Sequence, residues 1–250
     1  MSDDAKVALV TGAGRGIGHA VATALAHDGW DIAALGRSAS SLAGTIDAVE
    51  DIGVRGIAIP ADVRRPVDVI AAVDRIEDTF GPIHALVNNA GVQRLASALT
   101  VSEADWDDVL DTNLKGAFFC AQAVGRYMTE RGSGSIVNVA SAAGVIAVAD
   151  RAAYGASKAG LAMVTKVLAL EWAARGVRVN AIAPTFVDTE LGRQTLDQPG
   201  MHDQVVGRIP MGRLATLDDL TAAVRFFLDV DASSFVTGQV LAIDGGLTLG

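Results

Sequence analysis

The stretch KVALVTGAGRGIG occupies residues 6–18. Its first half is a short run of branched apolar residues ending at Thr11, the pattern of a strand buried on both faces. Its second half places Gly12, Gly16 and Gly18 in a T-G-x-x-x-G-x-G spacing. From residue 17 to 28 the pattern is helical. A strand, a glycine turn and a helix in that order open a parallel sheet with helical crossovers. Glycines there permit a tight turn and bring main-chain N–H groups and a helix N-terminus close to a pyrophosphate.

The alternation continues along the chain. DIAALG (31–36), GIAIPAD (56–62), HALVNNAG (84–91), SIVNVAS (135–141), VRVNAIAP (177–184) and VLAIDGG (240–246) read as six further strands. Helical patterns lie over 40–53, 67–80, 103–131 and a stretch that carries AAYGASKAG (152–160) and stops at Gly176. Near-continuous apolar strands separated by helices predict a Rossmann-type, doubly wound α/β fold. Its seven-stranded parallel sheet has helices on both faces. Ligands bind such sheets at the carboxyl ends of the strands. Thr11, Gly36, Asp62, Asn88, Ser141 and Pro184 end strands and are expected along one edge. Residues 186–214 hold two prolines, Pro199 and Pro210, and weak periodicity. A loop of that length is expected to act as a flap over the site. The whole of 1–250 is expected to form one domain.

Composition narrows the function classes. Half of the 250 residues are hydrophobic and 5% are aromatic, enough apolar content for a large core. The formal net charge of -9 argues against nucleic acid or an anionic membrane as partner. A single cysteine, Cys120, lies in the apolar run GAFFCAQAV and is expected to be a buried small hydrophobe. His19, His27, His84 and His202 lack metal-ligand spacing, and no metal is expected. The start, MSDDAKVALV, does not read as a signal peptide. The apolar run over 136–149 is too short to span a bilayer. Cytoplasmic placement is the resulting expectation.

AAYGASKAG sets Tyr154 and Lys158 four residues apart, on one face of a helix. A free phenol has a pKa of about 10 and is a poor base at neutral pH. A neighbouring cation favours the phenolate. Ser141 ends the strand before that helix and is expected across the pocket from Tyr154.

TGAGRGIG, Asp62, NNAG at 88–91, Asn113, Ser141, and Tyr154 with Lys158 occur in an order that resembles the short-chain dehydrogenase/reductase family over essentially the whole length. The resemblance implies a ketone–alcohol oxidoreductase working by hydride transfer. In it Tyr154 is the acid/base, Ser141 hydrogen-bonds to the reacting oxygen, and Lys158 tunes the phenol and holds the nicotinamide ribose. Asn113 positions a water that relays protons to Lys158. It further implies a dinucleotide held by Gly12, Gly16, Ile17 and Gly18, with Asp62 and Val63 at the adenine and Asn89, Ala90 and Gly91 at the ribose. Pro184, Val187 and Thr189 lie by the carboxamide, although Thr185 stands where the family often has glycine.

The end of the second strand reads AALGRS. Gly36 stands where an NAD enzyme usually has an acid, and Arg37 follows. An arginine fork matches a 2′-phosphate. Arg37, with Arg15 as second partner, therefore points to NADP, with NAD as the second choice. Gln93 and residues 145–149 are expected to border the substrate, and Arg94 is read as a surface residue that could otherwise meet an anion. Two substrate classes stay open: a 3-oxoacyl thioester, or a sugar, aldonate or polyol. A non-catalytic dinucleotide-sensing protein is the alternative from another class. The resemblance also implies a homotetramer.

Overall fold

In the computed structural model, which describes residues 6–249, β1 (Val7–Thr11) is buried at every position. Its side chains alternate between two cores: Val7 and Leu9 face one, Ala8 and Val10 the other. The chain continues through α1 (Gly16–His27), β2 (Asp31–Gly36), α2 (Ala39–Ile52), β3 (Gly56–Pro60), α3 (Pro66–Thr79) and β4 (Ile83–Asn88). Then come α4 (Glu103–Leu110), α5 (Ala117–Arg131), β5 (Gly134–Val139), α6 (Ala152–Trp172) and β6 (Val177–Pro184). The last elements are α7 (Glu190–Leu196), α8 (Met201–Arg208), α9 (Leu217–Leu228), α10 (Val230–Ser233) and β7 (Val240–Ile243).

The seven strands form one sheet in the order β3-β2-β1-β4-β5-β6-β7, parallel at every pairing. This is the doubly wound arrangement that the alternating runs predict. The core on one face takes residues from α3, α5 and α6, and the other takes residues from α1, α2 and α9. The chain winds outward from β1 to β3 and then returns to β4. The crevice between β1 and β4 at their carboxyl ends is therefore the expected binding edge.

Three regions differ from the sequence expectation. The helix over 103–131 is interrupted by a π-helical turn, Asp111–Gly116, which buries Thr112 and Asn113. The extra residue shifts the helical register, so periodicity alone passes over it. The segment 186–214 contains α7 and α8 rather than loop alone, and they are short enough to leave little periodic signal. Leu196, Val205 and Ile209 pack with Leu247 into a small core of their own, against Ile146 and Phe186. The third is α9, unread in the sequence although a capping box announces it. Thr216 accepts from the Asp219 N–H, and Asp219 reaches back to the Thr216 N–H at 2.8 Å.

Candidate active site

The glycine loop is built by close approach. Gly12 and Gly16 have φ of +63° and +54°. A Cβ on Gly18 would lie 2.3 Å from the Gly12 carbonyl oxygen. The loop is stitched to the end of β4. The Thr11 hydroxyl oxygen accepts from the Asn89 and Ala90 N–H groups, each at 3.0 Å. The Asn89 amide donates to the Thr11 and Gly12 carbonyls at 3.0 and 3.1 Å. Asn89 and Ala90 thus shape the loop as well as lining the crevice. Arg15, the N-cap residue of α1, makes no capping hydrogen bond. Its guanidinium pairs instead with Glu190 at the start of α7.

At the far end of the crevice, Gly36 closes β2 and Arg37 stands exposed beside Ser38, which caps α2. Arg15, paired with Glu190, lines the same cavity as Arg37. The Asp62 carboxylate is held by Arg64 at 2.6 Å, and that hydrogen bond keeps its carboxyl below the usual range. Arg64 continues to Asp108 at 3.0 Å. Val63 is buried next to them.

Tyr154, Lys158 and Ser141 converge at the inner end. Lys158 donates to the Val139 carbonyl at 2.7 Å, and its Nζ lies 5.7 Å from the centre of the Tyr154 ring. Ser141 accepts from the Ala143 N–H at 3.2 Å. Burial pushes the Tyr154 phenol up, against a hydrogen bond with Ser141 and the Arg151 charge, which pull it down. Lys158, expected to lower the phenol, is itself lowered by burial to about 8. In the protein alone the phenol is therefore a weak acid held neutral, because desolvation outweighs the nearby charges.

Asn113, in the π turn, is fully committed. Its Oδ1 accepts from the Val92 N–H at 2.8 Å, and its amide donates to Val92 O at 2.9 Å and Ser157 Oγ at 3.1 Å. Gly91 leaves an opening beside Asn113 and Lys158. A Cβ there would sit 3.3 Å from Asn113 Oδ1 and 3.6 Å from Lys158 Nζ.

On the other wall, Pro184, Thr185, Val187 and Thr189 descend from β6 to α7 and line the same cavity. Thr189 caps α7 through the Gly192 N–H. A Cβ on Gly16 would meet Thr189 at 3.6 Å, so loop and flap face each other across a narrow gap. The Thr185 hydroxyl oxygen is buried and has no hydrogen-bond partner. An orphaned hydroxyl is costly unless a ligand completes it. With the uncapped N-terminus of α1, it makes the crevice fit an extended phosphate-bearing dinucleotide.

The cavity measures about 610 Å³ and is lined by the site residues expected from the sequence, except Gly18 and Asn113. Gln93, expected at the substrate, is buried on its wall, and Ile146 and Val148 also line it. Val145 points outward, 60% exposed. Arg94 is taken by Asp108 at 2.7 Å and Asp105 at 3.7 Å, as a surface residue. Sequence reading missed Arg151. Its guanidinium donates to Gln93 Oε1 at 2.9 Å and to the Thr195 hydroxyl, and it stacks over Phe186 at 5.1 Å. Its place three residues before Tyr154, at the mouth of α6, was the available signal.

Comparison with known proteins gives concordant relatives. The family model described as enoyl-(acyl carrier protein) reductase matches residues 12–248. The chain is 48% identical over 250 residues to D-threitol dehydrogenase of Mycolicibacterium smegmatis, covering 98% of this chain and 94% of that one. It is 37% identical over 243 residues to a 3-oxoacyl-[acyl-carrier-protein] reductase of Staphylococcus epidermidis, covering 97% and 98%. The crystal structure of a gluconate 5-dehydrogenase from Burkholderia cenocepacia, in complex with NADP and tartrate, superposes with a TM-score of 0.95 at 38% identity. That match covers 99% of this chain and 96% of the other.

Proposed function

The chain belongs to the short-chain dehydrogenase/reductase family, and on that premise we propose that it interconverts a polyhydroxylated alcohol and its ketone with NADP(H). It is an oxidoreductase acting on CH–OH and C=O groups, as its relatives are. The non-catalytic alternative loses its footing, since those relatives are named dehydrogenases and reductases. One observation carries the substrate class. Beside Tyr154 the wall carries a hydrogen-bonded polar group, Gln93, Arg151 and Thr195, set among the apolar Ile146, Val148 and Phe186. Such a wall suits hydroxyl groups and leaves polar atoms unpaired against an acyl chain.

The residues divide the work as follows. Gly12, Gly16, Ile17 and Gly18 give the pyrophosphate a tight turn and a helix N-terminus. Arg37 takes the 2′-phosphate, with no acid at Gly36 to oppose it, and NAD remains the second choice. Asp62 and Val63 border the adenine, while Asn89, Ala90 and Gly91 border the ribose. Pro184, Thr185, Val187 and Thr189 receive the carboxamide end. Bound NADPH supplies the hydride in the reducing direction. Tyr154 gives its proton to the carbonyl oxygen while Ser141 hydrogen-bonds to that oxygen. Lys158 holds the ribose, and its charge favours the phenolate once the proton has left. Asn113, whose side chain is occupied, holds the relay water through the main chain of the π turn. Residues 186–214 serve as the flap within a single 1–250 domain.

We also infer a homotetramer, for which Met163, Val167 and Leu170 offer an exposed apolar stripe on α6. We place the enzyme in the cytoplasm, where a free thiol such as Cys120 stays reduced. Among the described residues no helix is long and apolar enough to cross a membrane. The test is an initial-rate assay with NADPH on 5-ketogluconate and an acetoacetyl thioester, and with NADP on D-threitol. Turnover of the polyhydroxylated compounds supports the reading. Turnover of the thioester alone overturns it.

A further inference from the structure

The charges that line the cavity do not cancel evenly. Its acids are already engaged: Asp62 with Arg64, Asp108 with Arg64 and Arg94, and Glu190 with Arg15. Among the described residues, no carboxylate lies within ion-pair distance of Arg37, Lys158 or Arg151 in the same cavity. Arg37 stands at the outer end, where a 2′-phosphate belongs. Lys158 has the Val139 carbonyl and the ribose opening at Gly91. Arg151 has neither, and it sits at the substrate end.

The backbone aims Arg151 inward. Asp150 before it has φ of +60°, a left-handed conformation that few residues other than glycine adopt and that asparagine and aspartate tolerate best. The Asp150 carbonyl accepts from the Ala96 N–H at 3.1 Å, and Arg151 bridges to Ala96. This turn commits a permanently charged fork to a partly buried place, against neutral partners only: the Gln93 amide, the Thr195 hydroxyl and the Phe186 ring. Neutral hydrogen bonds satisfy two of its N–H groups and leave the charge without a counter-ion. Desolvation lowers the arginine as a consequence. A cation kept half-buried without an acid is costly unless a ligand brings the anion.

We propose that Arg151 is a specificity residue that binds a carboxylate on the substrate, so that the polyhydroxylated substrate is a hydroxy acid or keto acid of the aldonate class rather than a neutral polyol. This rests on the polyhydroxylated reading above. The carboxylate takes the guanidinium edge left open by Gln93 and Thr195, a geometry that arginine serves as a planar fork. The alcohol or ketone to be transformed then meets Tyr154 and Ser141 next to it. Arg94 makes no such contact, because Asp108 and Asp105 hold it.

Matched pairs of substrates test the assignment: D-threonate against D-threitol, and 5-ketogluconate against L-sorbose. The wild type is expected to prefer the acid in each pair by kcat/KM. Arg151→Gln should lower kcat/KM for the acids about 10- to 100-fold more than for the neutral partner of each pair, the worth of a charge-assisted hydrogen bond. Arg151→Lys should restore part of the preference. Thr195→Val removes the contact with α7 and keeps the charge, so it should retain the preference. A binding readout stands beside turnover: D-threonate should raise the melting temperature of NADP-loaded Tyr154→Phe enzyme, and the Arg151→Gln/Tyr154→Phe double variant should lose that shift. Equal losses on acids and neutral compounds, in Arg151→Gln and Thr195→Val alike, would reduce Arg151 to a latch on the flap and overturn the proposal. Turnover of neutral polyols without preference for acids would also overturn it, leaving the polyhydroxylated reading intact. Turnover of the acetoacetyl thioester alone would remove both.

Discussion

Lys158 reaches past Tyr154 and gives its ammonium to the carbonyl oxygen of Val139, the last residue of β5, at 2.7 Å. That hydrogen bond ties the helix that carries the phenol to the strand that presents Ser141 two residues later. Its cost is visible in the charge itself: burial lowers the lysine from an ordinary 10.5 to about 8.

Unfolded, the lysine keeps its proton up to about pH 10.5; folded, it releases it near pH 8. Between these values the unfolded chain binds more protons, so this group makes stability rise with pH. Below pH 8 the buried ammonium costs about 3 kcal/mol relative to that alkaline state. Lys158→Met removes the cost and gives up one hydrogen bond worth about 1 kcal/mol. The variant should melt above the wild type at pH 7, by about 4–8 °C for a chain of this size. The gain should vanish by pH 10.5. Thermal melts at both pH values check it, and a lower melting temperature at pH 7 would contradict it.

Arg37 carries the choice of cofactor. Removing one charge-assisted contact to a phosphate costs about 1.5–3 kcal/mol, roughly 10- to 150-fold in affinity. Arg37→Ala should weaken NADPH by such a factor and change NADH binding little. Fluorescence titration of both cofactors reads the ratio, and an unchanged ratio would refute the 2′-phosphate role.

Much of the fold was legible because its strands are buried on both faces and read as continuous apolar runs. β6 lies where VRVNAIAP puts it. The flap helices were not legible: α7 and α8 are short, and their apolar residues Leu196 and Val205 face a local core with Leu247, distant in sequence. The π turn at Asn113 breaks the period that would reveal it. The motif residues Ser141, Tyr154 and Lys158 could be named from order alone. Arg151 could not, because its role depends on Gln93, Phe186 and Thr195, which the sequence scatters over a hundred residues. The direction of the Tyr154 shift was also hidden, since burial decides it and burial is a property of the assembled fold.

Thr185 holds a buried hydroxyl without a partner. Thr185→Val replaces the hydroxyl by a methyl of similar shape and should stabilise the free protein by about 1 kcal/mol. It should weaken NADP several-fold and leave 2′,5′-ADP, which lacks the nicotinamide half, unchanged. Calorimetric titration of both ligands separates the cases. Equal weakening of the two would place the hydroxyl away from the carboxamide end.

Cys120 is 1% exposed, and burial pushes its thiol up to about 12. The thiolate is the reactive form. The native enzyme should therefore resist a disulfide reagent at pH 8 and react with one thiol per chain only after denaturation. Rapid modification of native protein would contradict this packing.

The central claim is that Tyr154 is the group that exchanges the proton. The most direct measurement is turnover of a polyhydroxylated substrate by Tyr154→Phe, alongside NADPH titration of the same variant. Loss of one phenolic proton donor should abolish measurable turnover while the NADPH dissociation constant stays within about threefold of wild type, since the phenol contributes proton transfer rather than the bulk of cofactor binding. Turnover near the wild-type rate in a variant that binds NADPH normally would contradict the role assigned to Tyr154.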